Sequence, residues 1–68
     1  MKSLTKKQQA IFDFILVTQM VSGQGPSLAE LAESFEINPK AVLGHLMALM
    51  KKKYIAYIPR KARAIKIL

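Results

Sequence analysis

Two short apolar runs with helical spacing meet across a break too brief to be a loop, and this constrains the fold more than any other feature of the chain. Leu28, Leu31, Ala32 and Phe35 recur at i, i+3, i+4 and i+7, and Val42, Leu46 and Leu49 recur at i, i+4 and i+7. Between them stands Glu36-Ile37-Asn38-Pro39. Asn38 is a favoured N-cap, and Pro39 fits the first position of a helix, where its missing N–H has no partner to lose. The two helices must therefore join across about three residues, the separation of a helix-turn-helix. The usual glycine is missing from this turn.

The flanking sequence supplies the remaining elements. Thr5 and Gln8 form a capping box, so the first helix should begin there. Ile11, Phe14, Ile15 and Val21 follow near helical period, with Phe12, Leu16, Val17 and Met20 on a second face, and Gly23, Gly25 and Pro26 end the helix. Ser27 with Glu30 makes a second capping box. The third helix should run from Pro39 to about Lys53, with Lys53 at the edge of the Val42–Leu46–Leu49 face, its stem covering apolar surface. The period then changes to two. Residues 54–58 and 64–68 read as strands, with Ile55 and Tyr57 inward on one and Ile65 and Ile67 inward on the other, joined by Pro59-Arg60-Lys61-Ala62-Arg63. A lone hairpin is unstable in water, so its apolar face must rest on the helices. The expected fold is α+β, mostly α: a three-helix winged helix-turn-helix with a C-terminal β-hairpin wing, in one domain spanning 1–68.

Charge divides the chain in two. Residues 1–39 hold Lys2, Lys6 and Lys7 against Asp13, Glu30, Glu33 and Glu36; residues 40–68 hold Lys40, Lys51, Lys52, Lys53, Arg60, Lys61, Arg63 and Lys66 with no acid, giving +7 overall. A surface built for solubility alone intersperses acids among its bases, so this polarisation points to a polyanion partner. For the Lys51–Lys53 run, a plainer reading is that it complements the negative end of the third helix.

Other classes of function find little support. With no cysteine there is no disulfide and no thiolate metal site, and His45, the single histidine, has no acid cluster beside it. No metal, cofactor or small-molecule ligand is expected. The four acids form no general-acid pair, and no serine or glycine-rich motif suggests catalysis. Met20, Met47 and Met50 read as core filler. The amino terminus lacks the apolar run of a signal peptide, and the uncharged stretch 14–29 falls short of the roughly 20 apolar residues of a membrane helix. A soluble, cytoplasmic protein without a membrane partner is expected.

A recognition helix presents its first turns to base edges in the major groove of duplex DNA. Here those positions are Lys40, Ala41, Leu43 and Gly44. Lys40 can donate to guanine O6 and N7, Ala41 can touch a thymine methyl, Gly44 admits close approach, and Leu43 can read only shape or a methyl. Ser27, Asn38 and the first-turn amides can hold phosphates, joined by Lys52 at the helix end. Arg60, Lys61 and Arg63 would lie on neighbouring phosphates or in the minor groove.

The assembled residues resemble the amino-terminal DNA-binding domain of the LexA repressor family. The resemblance rests on Leu4-Thr5, Gln8-Gln9, Phe12-Asp13, Pro26, Ala29-Glu30 and Ala32, then Pro39, Ala41, His45-Leu46, Ala48-Leu49, Ile55 and Arg63 to Lys66. It covers nearly the whole chain. It implies a dimeric repressor on palindromic operators of DNA-damage-response genes, without the serine-lysine self-cleaving domain. The family's polar, acidic base readers are replaced here by Leu43 and Gly44, and its Gly/Ser-rich wing by Pro59-Arg60-Lys61-Ala62. A different operator, or weaker sequence discrimination with more phosphate affinity, is expected.

A surplus of apolar residues supports an alternative. Phe12, Leu16 and Met20 share one face of the first helix, and Leu43, Met47 and Met50 recur on the third. A domain this small has one core, so one stripe is left over and marks an interface. It would serve a homodimer through Phe12, Leu16 and Met20, or a protein-interaction module gripping another protein such as a related repressor.

Overall fold

Thr5 starts the first helix with both halves of its capping box. The Gln8 N–H donates to Thr5 Oγ1 and the Thr5 N–H donates to Gln8 Oε1, each at 3.2 Å. The computed structural model describes residues 3–57 and 65–68. In chain order these form α1 (Lys6–Ser22), α2 (Leu28–Phe35), α3 (Pro39–Lys51), β1 (Ile55–Tyr57) and β2 (Ile65–Ile67). The strands pair antiparallel, with Ile55 opposite Ile67, Ala56 opposite Lys66 and Tyr57 opposite Ile65. Three helices followed by this hairpin make a winged helix-turn-helix of the α+β class.

A left-handed residue stands at the C-cap of α1 and of α2 and one position past that of α3, because a single such turn lets the chain reverse while satisfying the last carbonyls. Gly23, at φ 81°, closes α1 with its N–H on the Gln19 carbonyl. Glu36, at φ 54°, closes α2: its N–H donates to the Glu33 carbonyl at 3.3 Å, and the Ile37 N–H reaches back to Ala32 at 3.1 Å. Glu36 therefore stands where the turn's usual glycine would be. The pattern repeats after α3, where Lys53 takes φ 66°, its N–H donating to Met50 and the Tyr54 N–H to Leu49. That corrects the expected helix end. Lys53 lies beyond α3, exposed, and does not extend the buried stripe.

One core joins all five elements. Ile11 and Ile15 of α1, Leu31 and Ala32 of α2, Val42, Leu46 and Leu49 of α3, and Ile55 and Ile65 of the hairpin are buried. Phe12 meets Tyr54 edge to face at 5.4 Å between centroids, and Phe14 meets Phe35 likewise at 5.7 Å. Strand β2 is fixed to α1 by the Ile67 N–H donating to Gln19 Oε1 at 3.2 Å, and the buried Gly25 packs against it. A Cβ on Gly25 would overlap the Ile65 carbonyl, so this glycine is needed for close approach rather than for φ.

Two sequence expectations are overturned by packing, and a third residue turns out to be partly covered. Val21, expected on the core face of α1, is 82% exposed in the last turn of that helix. Met20 and Met47 are 75% and 60% exposed, so neither fills the core; of that group only Met50 packs against it. Phe12 is half-buried against Tyr54, leaving Leu16 and Met20 as the open part of its stripe. No described helix is long and apolar enough to cross a membrane.

Two glycine substitutions test these turns in opposite directions. Gly25→Ala should destabilise by about 1–3 kcal/mol, the usual range for overpacking. Glu36→Gly should stabilise by about 0.5–1 kcal/mol, since relief of the left-handed strain outweighs the extra backbone entropy. Chemical denaturation measures both, and equal shifts of the same sign would contradict the turn geometry.

Candidate nucleic-acid interface

The buried stripe of α3 fixes which of its residues face outward. With Val42, Leu46 and Leu49 turned into the core, Lys40, Gly44, Met47 and Lys51 line the opposite side at steps of four, three and four residues, all exposed. Ala41 lies beside them, also exposed. Leu43 and His45 occupy the flanks and are half-buried. The outward face is thus a lysine at each end of a low, apolar middle. Gly44 deepens that middle, as a Cβ there would meet nothing within 4 Å.

Ser27 and Asn38, both expected on phosphates, cap the starts of α2 and α3. Asn38 Oδ1 accepts the Ala41 N–H at 2.9 Å, and Ser27 Oγ accepts the Glu30 N–H at 3.1 Å while donating to Glu30 Oε1 at 3.3 Å. Their side-chain oxygens are therefore occupied in fixing the starts of α3 and α2. Lys52 has a structural task as well. Its half-buried Nζ donates to Gln8 Oε1 at 2.8 Å and to the Ser3 carbonyl at 3.0 Å, joining the end of α3 to the start of α1. Arg60, Lys61 and Arg63, expected to form the wing tip, lie outside the described residues. The first-turn residues Lys40, Ala41 and Gly44 are brought together on one surface; Leu43 is half turned away.

Met47, which sequence spacing groups with Leu43 and Met50, lies between Gly44 and Lys51 on the outward face. The signal was available in the phase of the Val42–Leu46–Leu49 stripe, which places position 47 on the far side of the helix.

A family model described as the LexA DNA binding domain matches residues 1–64. The chain belongs to the LexA DNA-binding domain family. Among curated relatives, the LexA repressor of Thermosipho melanesiensis is 39% identical over 98% of the chain, and that of Thermotoga maritima 42% over the same share. The LexA repressor of Leptospira interrogans serovar copenhageni is 37% identical over the whole chain. In each case the chain spans about a third (34%) of the relative's length. Within this LexA-type domain α3 is the second helix of the helix-turn-helix.

Gly44 carries a measurable cost in the free protein. A glycine inside a helix costs about 0.5–1 kcal/mol relative to alanine, and nothing within the chain crowds this position. Gly44→Ala should therefore raise stability by about that amount, read as a higher unfolding midpoint. A fall in stability would show that the site is tighter than described.

Proposed function

We propose that this LexA-type domain is the duplex-DNA-binding part of a transcriptional repressor, reading the major groove with the outward face of α3 and gripping the backbone with its basic hairpin. The observation carrying this reading is the Lys40–Gly44–Met47–Lys51 face: two cations flanking an apolar strip, on the helix that follows a tight helix-turn-helix junction. Lys40 would donate to guanine O6 and N7, and Ala41 and Met47 would contact thymine methyls. Gly44 would let the helix backbone approach the base edges. The amides at the starts of α2 and α3, held by Ser27 and Asn38, would face phosphates. The wing residues Arg60, Lys61 and Arg63, read from the sequence, would neutralise further phosphates.

A second reading has its own observation. Val17, Met20 and Val21 are 59%, 75% and 82% exposed and lie together toward the end of α1. An apolar surface of this kind marks an interface, and a second copy docked there would form a homodimer suited to a palindromic operator. The same surface would equally hold a related repressor.

Titration of duplex DNA against salt tests the first reading. The log of the binding constant should fall linearly with log salt, with a slope near −0.9 per phosphate neutralised, and Arg60→Ala with Lys61→Ala should make the slope shallower by about 1.8. Gly44→Ala should weaken binding to a selected site even as it stabilises the fold. Absence of duplex binding at low salt, or full affinity in the wing variant, refutes the proposal. For the homodimer, light scattering that finds only monomer at high concentration removes it.

A further inference from the structure

We infer that the DNA-contacting surface continues past the end of α3 onto a second basic patch, in which Lys6 and Lys7 of α1 join Lys51 and Lys53 to bind backbone phosphates flanking the groove-reading segment. This rests on the duplex-binding reading and extends its footprint. In the linear sequence, Lys6 and Lys7 belong to the half that carries every acid and sums to a negative charge, so nothing there associates them with the basic half. Folding regroups them. The Lys52 ammonium, bonded to Gln8 Oε1 and the Ser3 carbonyl, brings the capping box at the start of α1 to the end of α3. Lys6 and Lys7 follow Thr5 directly, and both are exposed, as are Lys51 and Lys53.

Two further observations favour an external anion over simple solvation. Lys6 and Lys7 occupy the first positions of α1, where the positive end of the helix dipole disfavours cations, and the first turn contains no acid to offset them. The acids lie elsewhere: Asp13 accepts a hydrogen bond from the Gln9 amide at 2.9 Å, and Glu30, Glu33 and Glu36 belong to α2 and its cap. Two lysines that oppose their own helix dipole, with no acid in that first turn, are relieved when phosphates arrive. Lys51, moreover, closes the outward stripe of α3, so the patch is continuous with the proposed groove-reading face. Phosphate contacts position a protein without reading sequence, so the patch should add affinity uniformly across sites.

The experiment compares two double variants of the full chain on a labelled random-sequence duplex longer than the footprint. Lys6→Gln with Lys7→Gln removes two charges at the patch. Ser22→Glu with Gln24→Glu removes the same net charge at the other end of α1, about 25 Å away at 1.5 Å per residue. The patch variant should make the salt slope shallower by about 1.8, at 0.9 per phosphate, with an unfolding midpoint equal to or above that of the parent. The distal variant should change the slope far less. Equal slopes for parent and patch variant, or equal losses in the two variants, overturn the inference while leaving the duplex-binding reading intact. A parent chain that binds no duplex at low salt overturns both.

Discussion

Burial of the Val42–Leu46–Leu49 stripe is the constraint on which the rest of this molecule depends. α3 packs against α1, α2 and β1, and β2 reaches the same core through α1 and its partner strand. A chain of 68 residues has only about 3–10 kcal/mol of stability at the usual 0.05–0.15 kcal/mol per residue. Truncating one buried leucine costs about 2–5 kcal/mol. The stripe therefore has little freedom to rotate, and the opposite face turns only with it. The helix that holds the core together also presents Lys40, Gly44, Met47 and Lys51 to a partner, so the orientation of the candidate reading surface is set by core packing rather than by its own residues.

The second organising element is the way the helices stop. Gly23, Glu36 and Lys53 each adopt a left-handed conformation at a helix end, and the last two do so with a side chain that makes it costly. Backward hydrogen bonds from Ile37 to Ala32 and from Tyr54 to Leu49 over-determine both turns, while the core contacts of Ile37 and Tyr54 hold them closed. One turn sets the junction between α2 and α3, the other the angle at which the hairpin leaves α3. These are the two angles a winged domain needs to place helix and wing on one partner.

Membership of the LexA DNA-binding domain family leaves open which side chains do the contacting, and α3 presents a set that differs in part from a motif-level reading. Leu43, expected among the base readers, is half-buried, whereas Met47 stands fully in the face. Lys52, expected on phosphate, ties two helix ends together with two of its three donors. A lysine can position other cations as well as offer its own charge, and sequence does not distinguish these tasks.

The sequence alone determined the elements and their order. Thr5, Ser27 and Asn38 cap the helices where capping chemistry predicts, because a side-chain oxygen satisfying a nearby amide is a local interaction. The Asn38-Pro39 break and the change of period after Lys53 were likewise local, and they were enough to specify a winged helix-turn-helix and the buried face of α3. Tertiary structure decided what depends on neighbours distant in the chain. Packing left Met20 and Val21 exposed while Phe12 was claimed by Tyr54. The Lys52 bond to Gln8, across 44 residues, tied the basic half of the chain to the start of α1. Periodicity tells which side chains share a face, but only packing decides whether anything stands against that face.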